Sequence, residues 1–408
     1  MAACWEDVST VWEELKRPHG GTIVYLIIDG VGGLPDERYG GTELEVARTP
    51  HLDRLAGESS CGLLEIVGPG IIPGSGPGHL SLFGYHPLLY RVGRGVLSAM
   101  GIGFDLQPGD VAARINFATV DGRGIVTDRR AGRIDTATNE RLCRRISQTV
   151  NLEFDGRFFI HPVKEHRALL VMRGPGLRGR VQDTDPQTTG QPPREPRALD
   201  EDSRSTAALV SSFLRQVQET LRDEERANMV LLRGFDTYRP FPSLEKRFGL
   251  RGRCIAQYPM YRGVSRLVGM EVHEPLVELS HYPTVLKEGY GDYDFHFLHV
   301  KPTDSRGEDG DFPAKVEAIE QVDGMIPGLL EVDPDVLVVT ADHSTPAVMA
   351  GHSWHPVPVL LRSRYARRDR VTAFNETACI QGSLGLRPAL HLMGLALAHA
   401  GRLEKYGA

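Results

Sequence analysis

Three aspartates, each just behind an apolar run, hold the chemistry this chain could perform. Asp29 closes the run 22–28, Asp304 follows 293–300 after Lys301-Pro302-Thr303, and Asp342 follows 336–341. Histidines stand close by: His343 beside Asp342, and His352 in Gly351-His352-Ser353-Trp354-His355-Pro356. A separate loop, Pro73-Gly74-Ser75-Gly76-Pro77-Gly78-His79, sets one serine among glycines and prolines and runs into the apolar stretch 80–85. Small and turn-forming residues let that backbone fold tightly and leave the hydroxyl uncovered. At the mouth of a helix, free N–H groups and the helix dipole favour an incoming anion such as phosphate. Crowded carboxylates repel one another unless they are protonated or neutralised by cations. Mixed Asp and His donors suit manganese or zinc, whereas magnesium prefers oxygen alone, and there are donors enough for two ions. Paired cations beside a serine can ready its hydroxyl for attack on phosphorus and neutralise the phosphoryl oxygens. Whether water or a second hydroxyl then takes the group separates a phosphatase from a mutase, and the metal ligands alone leave that open.

The elements that must bring these residues together are legible as a pattern. Near-continuous apolar runs read as strands buried on both faces, the mark of a parallel sheet. In a doubly wound α/β fold, ligands bind beyond the carboxyl ends of such strands, so Asp29, Asp304 and Asp342 are expected on one edge. Thr49-Pro50-His51-Leu52 has a capping residue and a proline at the first helical position, and 62–67 reads as a short strand. From 111 the pattern changes to antiparallel pairs: 111–119 and 125–133 around the turn Asp121-Gly122-Arg123-Gly124, then a helix over 136–150, then 158–160 with 168–172. This predicts an inserted α+β domain at 111–183, dividing a core of 1–110 and 184–408. The polar, proline-rich stretch 183–193 is the expected hinge. Beyond it, a helix is expected over 205–221, strands at 228–233, 293–300 and 336–341, and a helix over 316–330.

With 408 residues and a formal charge of −6, the chain has the balance of a globular protein with no reason to bind nucleic acid or a membrane surface. Its five cysteines, Cys4, Cys61, Cys143, Cys254 and Cys379, form no CxxC pair, which argues against a disulfide framework or a zinc finger. Trp5, Glu6, Asp7 and Trp12 give the start a polar character unlike a signal peptide, and no apolar run is long enough to span a bilayer. A cytoplasmic location is expected; composition says nothing of oligomeric state.

Taken together, several motifs resemble one family. They are Ile28-Asp29-Gly30-Val31-Gly32, Arg48-Thr49-Pro50-His51-Leu52-Asp53, the Ser75 loop with Gly84-Tyr85, Gly93-Arg94-Gly95, Asn116-Phe117-Ala118-Thr119, Asp128-Arg129-Arg130-Ala131-Gly132-Arg133, Asp183-Thr184-Asp185-Pro186, His299-Val300-Lys301-Pro302-Thr303-Asp304, Ala341-Asp342-His343-Ser344-Thr345-Pro346, and His352-Ser353 with Pro356-Val357-Pro358. Across nearly the whole chain they are similar to the archaeal-type cofactor-independent phosphoglycerate mutases of the alkaline phosphatase superfamily and their bacterial relatives. The resemblance implies an alkaline-phosphatase-like, doubly wound, mostly parallel sheet with a smaller inserted domain, and interconversion of 3- and 2-phosphoglycerate through a phosphoserine without added bisphosphoglycerate. It implies Ser75 as nucleophile, sharing one metal with Asp29, Asp342 and His343, while Asp304, His352 and residue 308 hold the other. Most relatives have histidine at that last position; here it is Glu308, a harder donor that shifts preference from zinc toward manganese or magnesium. Asp309 is a substitute ligand. Two divalent ions are implied, manganese first, with magnesium, zinc or cobalt as the other candidates. A substrate bearing a phosphate and a carboxylate calls for guanidinium groups, for which Arg114, Arg129, Arg130, Arg133 and Arg262 are the candidates. Rival readings on the same core are a metal-dependent phosphatase or phosphodiesterase, a nucleotide-dependent phosphotransferase of the homoserine kinase type, and a non-catalytic relative that binds only.

Overall fold

The computed structural model describes residues 8–276 and 278–407; Cys4, Trp5, Glu6 and Asp7 lie outside the described residues. Thirteen strands are found among those described. In chain order they are β1 (Ile23–Ile28), β2 (Ser60–Glu65), β3 (Val111–Val120), β4 (Val126–Asp128), β5 (Arg157–Lys164), β6 (Arg167–Arg173) and β7 (Met229–Thr237). They continue with β8 (Gly252–Ala256), β9 (Glu271–Val272), β10 (Phe295–Val300), β11 (Val336–Thr340), β12 (Val357–Ser363) and β13 (Gly385–Pro388). The chain forms two compact units, one of 1–91 with 241–408 and one of 92–240.

In the first unit eight strands line up as β13-β2-β12-β11-β1-β10-β8-β9. β1 lies parallel between β10 and β11, and β8 continues the parallel set on the far side of β10. Only β12 runs against its neighbours. Every residue of β1, β10 and β11 is buried, as expected of central parallel strands covered on both faces. Register fixes where the polar residues beyond these strands emerge. Ile28 pairs with Val300 and Ile27 with Thr340, so the three strands stop level and release Asp29, Lys301 and Ala341–Asp342 at one edge. The doubly wound, mostly parallel α/β class expected from the sequence is the architecture observed.

The second unit is a five-stranded antiparallel sheet in which β6 and β7 flank β3, β5 pairs β6, and β4 adds a short pair at the end of β3. Helices Thr136–Thr149 and Arg204–Leu221 supply Leu142, Ile146, Val210, Phe213 and Val217 to a core with Phe117, Leu170 and Val230. This unit takes in more chain on both sides than the expected 111–183. The strand at 228–233 looked like core because it is apolar, but it pairs with β3 along Val111–Ala118. The stretch 183–193 is not a hinge between units either. It lies inside the second one, tied down by Thr184 N–H to Leu232 O (2.9 Å), Val126 N–H to Gln191 O (2.9 Å) and Gly190 N–H to Val126 O (2.9 Å).

Candidate active site

The level strand ends build the site, and all its members belong to the first unit. Asp29 begins where β1 stops. Its backbone N–H donates to Val300 O (2.9 Å) and its own carbonyl accepts from the Thr303 hydroxyl. Gly30 follows with φ +64°, and a Cβ there would come within 2.5 Å of Thr345 Oγ1 and 2.9 Å of Asp304 Cβ, so the turn needs glycine. Asp304 lies in the first turn of helix Pro302–Glu308, and its Oδ1 accepts from Thr345 Oγ1 at 2.7 Å. The same threonine Oγ1 lies 2.9 Å from His343 Nδ1, which leaves His343 Nε2 to face the carboxylates, 3.2 Å from Asp29 Oδ1 and 3.3 Å from Asp342 Oδ2. His352 stacks on His343 with ring centres 3.7 Å apart, its Nδ1 2.9 Å from Pro73 O and its Nε2 3.5 Å from Asp304 Oδ1.

Ser75 is the first residue of helix Ser75–Leu82, with Gly74 in the capping position. Its hydroxyl caps nothing; it faces His343 Nε2 (3.4 Å) and the Tyr261 hydroxyl (3.5 Å). Gly78 lets this helix approach, since a Cβ there would lie 2.5 Å from Asp342 O. Two donor groups converge within one cation's reach, Asp29-Asp342-His343 and Asp304-His343-His352. Glu308 stands beside the second group, half exposed, with Oε1 3.6 Å from His352 Nε2. Asp309 is exposed and near Arg306.

Electrostatics fit a place for cations. Asp29 Oδ1 and both Asp342 carboxylate oxygens are buried without a hydrogen-bond donor, an arrangement that is costly unless protons or metal ions supply positive charge. Burial, then the charge of Asp29, pushes Asp342 well above the ordinary carboxylate range. Burial would raise Asp29 too, but Lys301 and His299 outweigh it and hold Asp29 well below that range. Asp304 is raised, first by burial and then by Asp29. Burial drives His343 down, keeping the imidazole neutral as metal ligation requires.

Several participants escaped the sequence reading. Lys301, which in the sequence is only one residue of a motif, lies 3.2 Å from Asp29 Oδ2 and is hydrogen-bonded to Asp304. Tyr261 donates to Asp29 Oδ2, and His299 Nε2 lies 3.2 Å from that oxygen. His79 Nδ1 donates to Ser75 O (2.7 Å) and lies 3.3 Å from Asp342 Oδ2. Behind the loop, wholly buried Lys315 donates to Thr345 O (2.9 Å) and Gly32 O (3.2 Å), with Glu43 Oε1 at 3.5 Å. A buried lysine in an amphipathic helix gives no sequence signal beyond an out-of-place charge.

The arginine candidates divide. Arg129 is clamped by Asp185 through two hydrogen bonds of 2.9 and 2.8 Å. Arg130 and Arg133 are exposed on a turn whose N–H groups at Arg130 and Gly132 donate to Asp128 (2.7 and 2.6 Å). Arg114 is half-buried on β3. Arg262 belongs to the first unit and is engaged elsewhere, Nη1 donating to His273 O at 2.8 Å.

Known proteins resemble the chain along its length. A family model described as 2,3-bisphosphoglycerate-independent phosphoglycerate mutase matches residues 56–227. A Thermus thermophilus protein named as a probable member of that enzyme class is 49% identical over 405 residues, 98% of this chain and 100% of that one. The solved structure of a Pyrococcus horikoshii protein has a TM-score of 0.82 at 28% identity, covering 95% of this chain and 100% of its own. That of a cofactor-independent phosphoglycerate mutase from Thermoplasma acidophilum has a TM-score of 0.68 at 28% identity, covering 93% and 100%.

Proposed function

Because the chain belongs to the 2,3-bisphosphoglycerate-independent phosphoglycerate mutases, we propose that it interconverts 3- and 2-phosphoglycerate by passing the phosphoryl group through Ser75. The observation that carries this reading is the Ser75 hydroxyl, engaged in no cap and facing His343 beside donor-free carboxylate oxygens. Asp29, Asp342 and His343 would hold one divalent ion with Ser75, and Asp304, His352 and Glu308 a second, manganese being the first candidate for this oxygen-rich set. Such ions, when bound, lower the pKa of a coordinated hydroxyl and neutralise phosphoryl charge. The protein's own groups do the rest. Helix Ser75–Leu82 sets its N-terminus toward the incoming phosphate. Lys301 keeps Asp29 ionised and can offer its ammonium to a phosphoryl oxygen once the carboxylates have other counter-charges. Arg130, Arg133 and Arg114 are assigned to the substrate's phosphate and carboxylate, with Arg129 fixing the turn that carries Arg130 and Arg133. Retention of glycerate during the exchange, with water excluded, is what separates this reaction from hydrolysis. A cytoplasmic location and independence from bisphosphoglycerate belong to the same proposal.

The test is direct. Purified protein with manganese and 3-phosphoglycerate should give a product that enolase consumes, with little inorganic phosphate, and Ser75→Ala should lower turnover by at least about a thousandfold without changing the fold. Inorganic phosphate as the main product would make it a hydrolase, and transfer from ATP to an amino-acid hydroxyl would make it a kinase.

A further inference from the structure

Tyr261 lies in the first turn of the helix Pro259–Leu267 and is wholly buried. Its ring is locked: it stacks on His299 with centres 3.5 Å apart and planes 24° from parallel, and His79 sits at 5.0 Å. The hydroxyl meets two polar atoms. It donates to Asp29 Oδ2, and Ser75 Oγ lies 3.5 Å away. Asp29 Oδ2 has other positive or polar neighbours as well, Lys301 Nζ and His299 Nε2 each lying 3.2 Å away. An uncharged phenol costs less to bury than another ion, yet it offers a directed donor. Ser75 Oγ has fewer neighbours: besides the Tyr261 hydroxyl it faces His343 Nε2 at 3.4 Å.

Building on the reading of Ser75 as nucleophile, we propose that Tyr261 is a catalytic residue whose hydroxyl donates a hydrogen bond to Ser75 Oγ while that oxygen carries negative charge. In the first half-reaction the Ser75 Oγ–P bond forms as the bond from phosphorus to a glycerate oxygen breaks. That departing oxygen keeps the electron pair and takes the proton Ser75 gave up. In the second half-reaction another glycerate hydroxyl attacks phosphorus, its proton leaves with Ser75 Oγ, and the serine is restored. Tyr261 keeps its own proton throughout; it swings its hydrogen bond from Asp29 to the charged oxygen at the start of one half-reaction and the end of the other. A donor placed where charge develops, in a dry site, acts on the transition state and not on ground-state binding.

The experiment compares wild type, Tyr261→Phe and a protein with 3-fluorotyrosine at 261, measuring phosphoglycerate turnover, rapid-quench phosphorylation of Ser75, manganese affinity by titration calorimetry, and melting temperature. The expected result for Y261F is a fall of about 10- to 100-fold in kcat and in the rate of Ser75 phosphorylation, as for loss of one hydrogen bond to a charged group. KM and manganese affinity should stay within about twofold, and fluorotyrosine, which keeps the hydroxyl, should restore the rate. Unchanged serine phosphorylation, or a loss that tracks manganese affinity or is not rescued by fluorotyrosine, overturns the assignment. Ser75 phosphorylation followed by phosphate release in the wild type would instead overturn the mutase reading and leave the role of Tyr261 measurable on the serine step.

Discussion

The strand-end cluster of the first unit and the arginine turn of the second are both charged, but they are built on opposite principles. At the cluster, Asp29, Asp304 and Asp342 are all buried, Asp29 Oδ1 and both Asp342 oxygens have no donor, and burial makes negative charge on Asp342 expensive. At the turn the charges are positive and either already satisfied, as Arg129 is by Asp185, or exposed, as Arg130 and Arg133 are. Three successive residues there, Ala131, Gly132 and Arg133, have φ of +48°, +63° and +53°, a conformation that costs energy for the two non-glycine residues. Asp128 compensates by accepting from the N–H groups of Arg130 and Gly132. The first region concentrates buried negative charge of the kind a cation would relieve; the second holds a turn whose backbone is strained at Ala131 and Arg133.

The contrast is broken most strongly at the cluster. Asp342→Asn should lower activity by about a thousandfold or more through loss of metal binding. It should also raise the melting temperature of the metal-free protein, because a carboxyl pushed up by burial and by Asp29 is destabilising when ionised. Calorimetry with and without manganese checks both signs. Next comes Lys315→Met, which leaves Glu43 buried without its cation and frees the Thr345 carbonyl; about 3 kcal/mol of stability should be lost in denaturant unfolding.

Smaller effects sharpen the comparison at the turn. Arg129→Ala should destabilise the second unit by about 2 kcal/mol, because Asp185 is buried. Arg130→Ala should leave stability unchanged and raise KM for phosphoglycerate several-fold. Steady-state kinetics beside thermal melts separates the two. A further expectation concerns pH and involves each unit. Burial lowers His166 and His296 to about 4. Between about pH 6.5 and 4 the unfolded chain binds protons at these histidines that the folded chain refuses, so stability falls as pH falls through that window. Melting measured from pH 7 to 4.5 should show the loss, reduced in His296→Gln. The smallest change is expected from Glu308→His, a shift in metal preference toward zinc with the fold unaffected.

Much of the cluster is legible in the sequence because its placement depends on strand periodicity. An apolar run with no polar alternation is a central parallel strand, and the residue after it lies at the ligand-binding edge, so Asp29, Asp304 and Asp342 could be found together. Lys301, Tyr261, His299 and His79 could not, because their roles depend on which helix packs against which strand end, and no local pattern encodes that. Local charge likewise made Arg129 and Arg130 look alike; only the distant Asp185 distinguishes them. The limits of the second unit were missed for a related reason. The strand at Met229–Thr237 is as apolar as a core strand, and its partner β3 lies more than a hundred residues earlier in the chain.

The central claim, that Ser75 takes the phosphoryl group and gives it back, is tested most directly by acid-quenching the manganese-loaded enzyme during turnover of 3-phosphoglycerate and mapping phosphopeptides. Phosphate is expected on Ser75 at substantial occupancy, lost in Ser75→Ala together with activity. Accumulation of 2-phosphoglycerate with Ser75 unmodified at every quench time, or with full activity in Ser75→Ala, would contradict it.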